Sequence, residues 1–530
     1  MTAITRRITD ENRRWWTLGA MCFALFMVML DNTVVNVALP SIQRSLHASI
    51  SGLEWTVNAY TLSFAVLLVT GGRLGDLFGR RRMFLFGVVV FAASSAAIGL
   101  APSDAWLVAG RAIQGVGAAF MMPGTLSIIS NEFPPAERGK AIGTWAGVSA
   151  LALALGPVVG GALTQYVSWR AIFFLNVPVA VGAVAVTLFA AHESRDTTID
   201  RRVDIPGIFT LSVGLTALIL ALVESNSWGW GSTRIIGLLV TSVVFLVGFV
   251  VVERHVPAPM VQFQFFKSRS FFGANAIALI VSFAMLAMFF FTALYIQNIL
   301  GYSPLQAGVR FLPSTLMIVL IAPISGRLAD KIGPKIPMTI GLTLAALALF
   351  WQTQISDTSG YGFLLPSFIL MGIGMALTMS PMSTAAMNAV SVDKAGVASG
   401  ILSMNRMVGG TLGVALLGTV FQSVSRSRLS DNLANMPLSP GQRSALADQL
   451  GQGASSVHIS DPTMAQQVLH ATHDAFIHGF TTAMIVSTSV AAIGAFVAFF
   501  FIDGVRKPKP AQAEQPEAAA EVAQAEALGV

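Results

Sequence analysis

What most constrains this chain is a recurring run of about 18 to 25 apolar residues, the length of helix that crosses the ~30 Å hydrocarbon core of a bilayer. Within lipid a backbone satisfies its own polar groups only as a helix or a closed barrel, and long apolar runs select the helix. The runs predict spans at 15–39, 53–72, 83–101, 104–128, 140–164, 171–191, 204–223, 234–252, 271–297, 304–327, 336–354, 361–387, 395–421 and 475–502. Only 11% of the residues are charged, against about 25% in a soluble domain, so the chain could not cover a surface in water. The expected fold is an all-α integral membrane protein of fourteen transmembrane helices.

An even number of spans puts both termini on one side. Most of the 32 Lys and Arg residues fall in connections on the side of the N-terminus, which the positive-inside rule makes cytoplasmic. Trp15 and Trp16, directly after Arg13 and Arg14, fit an interfacial anchor there. This clustering accounts for the net charge of +6 and excludes nucleic acid as a partner. Residues 1–14 lead into the first span without a small-residue cleavage site, so that span is expected to be retained. The single cysteine, Cys22, lies in it, which excludes an internal disulfide.

An internal repeat divides the chain. Gly72-Arg73-Leu74-Gly75-Asp76-Leu77-Phe78-Gly79-Arg80 follows span 2, and Gly326-Arg327-Leu328-Ala329-Asp330-Lys331-Ile332-Gly333 follows span 10. Gly, Arg, Leu, Asp and Gly recur at a constant offset, 326 − 72 = 254. Parallel repeats of this kind mean two similar bundles with a site between them near the midplane. The organisation expected is a six-helix bundle at 1–191, a two-helix insert at 192–270 and a second bundle at 271–502. A polar external loop at 422–474 interrupts the second bundle, and 503–530 form a disordered cytoplasmic tail.

The repeated loop has the parts of a latch that breaks and reforms as two bundles rock. Gly72 and Gly79 permit a tight turn, Asp76 and Asp330 can pair with a base or cap a helix, and Arg80 can bind lipid phosphate. A topogenic hairpin is the plainer alternative.

Asp31 is an acid within an apolar helix, at an insertion cost of about 2.5–3.5 kcal/mol. Desolvation favours its neutral form and brings a proton within reach of physiological pH. Arg111 opposes that effect: counted from the outer ends of spans 1 and 4, both residues lie ~10–12 Å deep. A proton on Asp31 would release Arg111; a static ion pair joining two helices is the alternative. In span 5, Gly156, Pro157, Gly160 and Gly161 remove bulk and one backbone donor, allowing a bend and close packing.

Candidates for a substrate cavity are Asn32, Asn36, Gln114, Met122, Met288, Asn405 and Arg406. Flexible, polarizable methionines suit varied ligands, although any single one is more often plain packing. Arg406, near mid-helix, must face the interior or a wet cavity, whereas Arg310 is close enough to the outer surface to snorkel. His470, His473, Asp474 and His478 match no strong metal spacing and read as an outer interfacial cluster. With no Walker loop and no nucleophile–base arrangement, no enzyme, cofactor or metal is expected.

The repeated loop resembles the signature loop of the major facilitator superfamily. Leu30-Asp31-Asn32-Thr33-Val34-Val35-Asn36-Val37-Ala38-Leu39-Pro40 resembles the first-helix motif of its fourteen-helix drug:proton antiporter branch. Arg111-Ala112-Ile113-Gln114-Gly115-Val116-Gly117-Ala118 is similar to the fourth-helix Arg motif, and Gly156-Pro157-Val158-Val159-Gly160-Gly161 to the antiporter motif. Trp169-Arg170 through Asn176 and Pro178 also fits. The resemblance implies Asp31 and Arg111 in proton coupling and substrate recognition, and Gly156 and Pro157 in sealing one conformation. It implies a proton-coupled multidrug efflux transporter in a bacterial cytoplasmic membrane, with small amphiphiles, protons and lipids as partners and the oligomeric state open. Export of an endogenous metabolite or lipid is the nearest alternative; a non-transporting receptor or scaffold is remoter. Intramembrane acids are few, since Glu54, Asp104 and Glu224 lie near outer boundaries, and the three arginines within spans, Arg111, Arg310 and Arg406, tilt the substrate toward neutral, monocationic or anionic amphiphiles. The second bundle lacks close copies of the span 1 and span 4 motifs, so coupling is expected in the first.

Overall fold

Several helices here start at a small polar residue that satisfies an otherwise orphaned backbone N–H. Ser49, Ser103, Ser232, Ser268 and Ser303 each accept from a backbone N–H in the first turn of the helix they cap. At Ser303 the side chain of Gln306 answers back to complete a capping box. The computed structural model describes residues 12–195 and 204–504, except 258, 260, 262, 357–358, 391–394, 435, 437–442 and 444–461.

The first six spans are α1 (Arg13–Leu46), α2 (Ile50–Phe78), α3 (Arg80–Gly99), α4 (Asp104–Glu132), α5 (Pro135–Tyr166) and the pair α6 (Ala171–Phe174) and α7 (Asn176–Ala190). Then come α8 (Ile205–Trp228) and α9 (Thr233–His255). The last six are α10 (Arg269–Leu294), extended by a π turn at Tyr295–Ile299, α11 (Pro304–Ile332), α12 (Lys335–Gln352), α13 (Tyr361–Asn388), α14 (Ala395–Ala434) and α15 (Pro462–Phe501). Among the described residues, 12 of these segments are long and apolar enough to cross a membrane unaided. The exceptions are α2 and α5, of 29 and 32 residues. The polar Glu54, Thr56, Asn58 and Thr61 of α2 are buried inside the protein, so this helix need not be apolar all round.

The two bundles share one packing plan. In the first, α2 and α3 pack on α4, α1 on α5, and α3 on α7; in the second, α11 and α12 pack on α13, α10 on α14, and α12 on α15. The repeat extends to single contacts. A Cβ at Gly87 would lie 2.8 Å from the Gly117 carbonyl oxygen, and one at Gly341 only 2.6 Å from that of Gly374. Gly87 and Gly341 are separated by the same 254 residues as the signature loops (341 − 87). Small residues let both helix pairs close to backbone contact, which drives packing where lipid offers no hydrophobic gradient. The bundles meet along α2–α14 and α5–α11, and α8 lies against α2 and α14.

Two expectations need correction. The signature segment is not an open loop: α2 runs to Phe78, α3 starts at Arg80, and the whole turn is Gly79 at φ 111°. Gly333, at φ 82°, makes the matching turn between α11 and α12. Both angles lie where only glycine is unstrained. The stretch 422–474 is not a loop at its ends either, because α14 continues to Ala434 and α15 begins at Pro462. These extensions close on one another through Leu429, Leu433, Val468, Ala471 and Ala475, and Asp474 accepts from Arg428 and Asn432, each at 2.8 Å. The expected tail lies outside the described residues from 505 onward.

Candidate functional site

The face of the protein where α1 begins is termed the near face, and the one where α1 ends the far face. α1 continues seven residues past the span end expected at 39, so Asp31 sits near its midpoint. Asp31 is 1% exposed and Arg111 2%. Arg111 Nη1 donates to Asp31 Oδ2 at 2.5 Å and to Gln114 Oε1 at 2.7 Å, while its Nε donates to the Thr56 carbonyl at 3.0 Å. The guanidinium stacks over Tyr60, 4.2 Å from the ring centroid. On its other oxygen, Asp31 Oδ1 accepts from Gln114 Nε2 at 3.0 Å and Asn176 Nδ2 at 3.3 Å. Both amides also donate to Ser95 Oγ, which donates onward to the Phe173 carbonyl.

Five helices thus meet in one network around Asp31: α1, α4 and α7 at the carboxylate itself, α2 through Arg111 and α3 through Gln114 and Asn176. A buried ion pair is tolerable only when its remaining lone pairs and protons are satisfied, and here the donors surround both Asp31 oxygens. If Asp31 is neutralised, Arg111 still has the Thr56 carbonyl, Gln114 and the Tyr60 face to rest on.

α5 links this pair to the other bundle. On one side Gly156 packs on Thr33 and Gly160 on Val34, within a turn of Asp31; a Cβ at Gly160 would lie 2.9 Å from Val34 Cα. On the other side Gly161 abuts α11, where a Cβ would lie 2.5 Å from the Pro304 carbonyl oxygen, and Gly308 of α11 packs on the Pro157 backbone. The four motif residues therefore place α5 in backbone contact with both α1 and α11.

The hydrogen bonds seen between the bundles among the described residues lie toward the far face. Gln297 Nε2 donates to the Val37 carbonyl at 2.9 Å, Gln422 Nε2 to Glu54 Oε1 at 2.8 Å, Thr411 Oγ1 to Thr61 Oγ1 at 2.6 Å, and Leu305 N to Gln165 Oε1 at 3.2 Å. Gly418 backs directly onto the Glu54 carboxyl. The far side of the bundle interface is closed.

The remaining candidates separate into groups. Gln114 belongs to the Asp31 network rather than to a cavity wall, and Met288 is wholly buried in the core of its bundle. Asn36 is 5% exposed and donates to the Asn32 carbonyl. Asn32, Met122, Asn405 and Arg406 keep partial exposure. Asn405 donates to Asn275 Oδ1 on α10 at 3.0 Å. Of the signature residues, Gly72 packs on Pro123 and Gly79 makes the turn, whereas the side chains of Asp76 and Asp330 lie outside the described residues. A residue that no sequence motif singles out completes this corner. Glu193 accepts from the backbone N–H groups of Arg81 and Arg82, at 3.1 and 3.2 Å, and so caps the start of α3 beside Arg80. Its signal in the sequence is weak: one acid among the basic connections of the near face.

The family model for the Major Facilitator Superfamily matches residues 21–414, spanning both bundle halves and the α5–α11 contact. The chain belongs to this superfamily. Among relatives of this major facilitator, the tetracenomycin C resistance and export protein of Streptomyces glaucescens is 36% identical over 94% of this chain and 93% of its own. The multidrug resistance protein Stp of Mycobacterium tuberculosis is 35% identical over 90% of each. Among solved structures, a bacterial homologue of the human lysosomal transporter Spinster superposes with a TM-score of 0.59 at 14% identity, covering 94% of this chain and 99% of that one. A peptide transporter superposes with the same score at 13% identity, over 92% and 99%. These structural likenesses speak for the fold alone.

Proposed function

We propose that this major facilitator exports small amphiphilic compounds, antibiotics or drugs among them, from a bacterial cytoplasm in exchange for protons. The near face, rich in Lys and Arg, is the cytoplasmic one, and both termini lie on it. The relatives named for resistance and export support the direction and the class of cargo. The observation that carries proton coupling is the buried carboxylate of Asp31, paired with Arg111 and held on its other oxygen by Gln114 and Asn176, donors from two other helices.

The proposed cycle follows from that geometry. A proton reaching Asp31 removes the charge that holds Arg111 and weakens the hold of α1 on α4. Thr33 and Val34, a turn away, carry the change to Gly156 and Gly160, and α5 passes it to α11 through Pro157 and Gly161. The bundles then rock about α2–α14 and α5–α11, and the site between them changes sides. The inward proton supplies about 2.3 kcal/mol per 100 mV of membrane potential, in addition to the pH term.

The test is export of a lipophilic dye from proteoliposomes under an imposed pH gradient, wild type beside Asp31→Asn. Uphill movement that needs the gradient and vanishes in the variant supports the reading. A variant that pumps normally removes Asp31 from the mechanism. Wild type that moves none of several dyes points to a narrow endogenous substrate.

A further inference from the structure

Arg406 has no counterpart to the contacts that hold Arg111. Among the described residues it makes no hydrogen bond, ion pair or ring contact, and its Nε is buried without an acceptor. The rest of the side chain is partly exposed, although it lies within a membrane-crossing helix, 406 − 395 = 11 residues past the start of α14. Its position on α14 is defined by its neighbours. Asn405 and Gly409 face α10, at Asn275 and Leu279; Thr411 faces α2, at Thr61; and Thr419 reaches α8, at Leu222. At 100° per residue, Arg406 falls in the sector between the α10 and α2 contacts, opposite α8, on the side turned toward the gap between bundles. Next to it Met407 packs on the first bundle's core, as do Met29 and Met122 from α1 and α4.

A permanent cation at this depth persists only beside water or a partner, and a guanidinium presents five donors in a planar fork. Carboxylates and sulfonates match that fork, and flexible methionines adapt to varied apolar bodies. We propose that Arg406 docks the anionic head of the transported compound, with Met29, Met122 and Met407 against its apolar body, so that the substrate class is singly charged amphiphilic anions. This rests on the export reading above and narrows its cargo. One anion leaving as one proton enters moves two charges in the same electrical sense. A membrane potential without a pH gradient, negative inside, therefore drives export as well.

The experiment uses full-length protein and a matched pair of probes, 1-anilinonaphthalene-8-sulfonate and its uncharged parent N-phenyl-1-naphthylamine, both tritiated. Binding to purified wild type, Arg406→Gln and Arg406→Lys is read by scintillation proximity, and export of the same probes in proteoliposomes. Wild type is expected to bind the sulfonate about 10-fold more tightly than the parent. Arg406→Gln should erase that preference by weakening the sulfonate alone, and Arg406→Lys should keep part of it. Equal weakening of both probes in Arg406→Gln, or no preference in wild type, overturns the proposal. Because binding is read without a gradient, preference without proton-driven export would sink the antiport reading and leave the Arg406 site standing.

Discussion

Arg111 and Arg406 are arginines of one protein, each within a membrane-crossing helix, one in each bundle, and their surroundings are opposite. Arg111 is 2% exposed and meets a carboxylate, an amide, a carbonyl and an aromatic face. Arg406 meets none of these among the described residues and keeps partial exposure toward the gap between bundles. A charge in a low-dielectric interior is tolerated by pairing or by access to water and ligand, and the two bundles use one solution each. Folds that repeat in backbone need not repeat in chemistry. The glycine contacts at Gly87–Gly117 and Gly341–Gly374 match closely, while the ionisable groups do not.

The contrast can be broken by experiment. The largest effect is expected from Asp31→Asn, which keeps shape and removes the carboxylate proposed to carry the proton: uphill export should fall on the order of 100-fold, with downhill movement retained. Retained uphill export would mean that the paired arginine marks no proton site. Next, Arg111→Met should cost about 3–5 kcal/mol of stability, because it strands the Asp31 carboxylate in the interior. Arg406→Met, which strands nothing, should stay within about 1 kcal/mol of wild type in either direction. Thermal unfolding in detergent measures both, and equal losses would erase the distinction.

Gly161→Leu sharpens the comparison from the interface side. A side chain there must displace the Pro304 backbone, so the far seal should open and a Cys at Thr61, in a Cys22→Ser background, should label faster from the far side. Unchanged labelling would show that α5 and α11 do not form the seal. The smallest effect belongs to Arg428→Ala. Its pair with Asp474 is 43% and 38% exposed, so the loss should be under about 1 kcal/mol, and a larger one would show the helical hairpin to be a structural keystone.

Much of this was legible in the residue order. Spans could be read because lipid demands uninterrupted apolar helix, and the repeat because both signature turns need glycine at one offset. Asp31 and Arg111 could be matched by counting depth along two helices. The helix itself outran the count, since α1 continues seven residues past the span end read at 39. What closes the network was not legible as a network, and Asn176 stood out only as part of a motif. Asn176 reaches Asp31, the Thr56 carbonyl reaches Arg111, and Ser95 joins the network through Gln114 and Asn176, from three other helices, and no spacing along the chain encodes that meeting. Gln114 was legible as a polar residue of the fourth-helix motif, yet its place inside the bundle depends on which face of α4 turns to α1. Glu193 caps α3 from more than a hundred residues away, for the same reason.

The sequence by itself determined the membrane as solvent, the helices, the repeat and the superfamily, because each follows from local composition or from short motifs that a bilayer makes obligatory. Tertiary structure decided the rest: which of the arginines within the membrane-crossing helices is satisfied, how the extensions of α14 and α15 close on one another, and that α5 touches both the Asp31 helix and the opposite bundle. Helix faces are set by packing between segments far apart in the chain, and hydrogen-bond partners are set only once those faces meet.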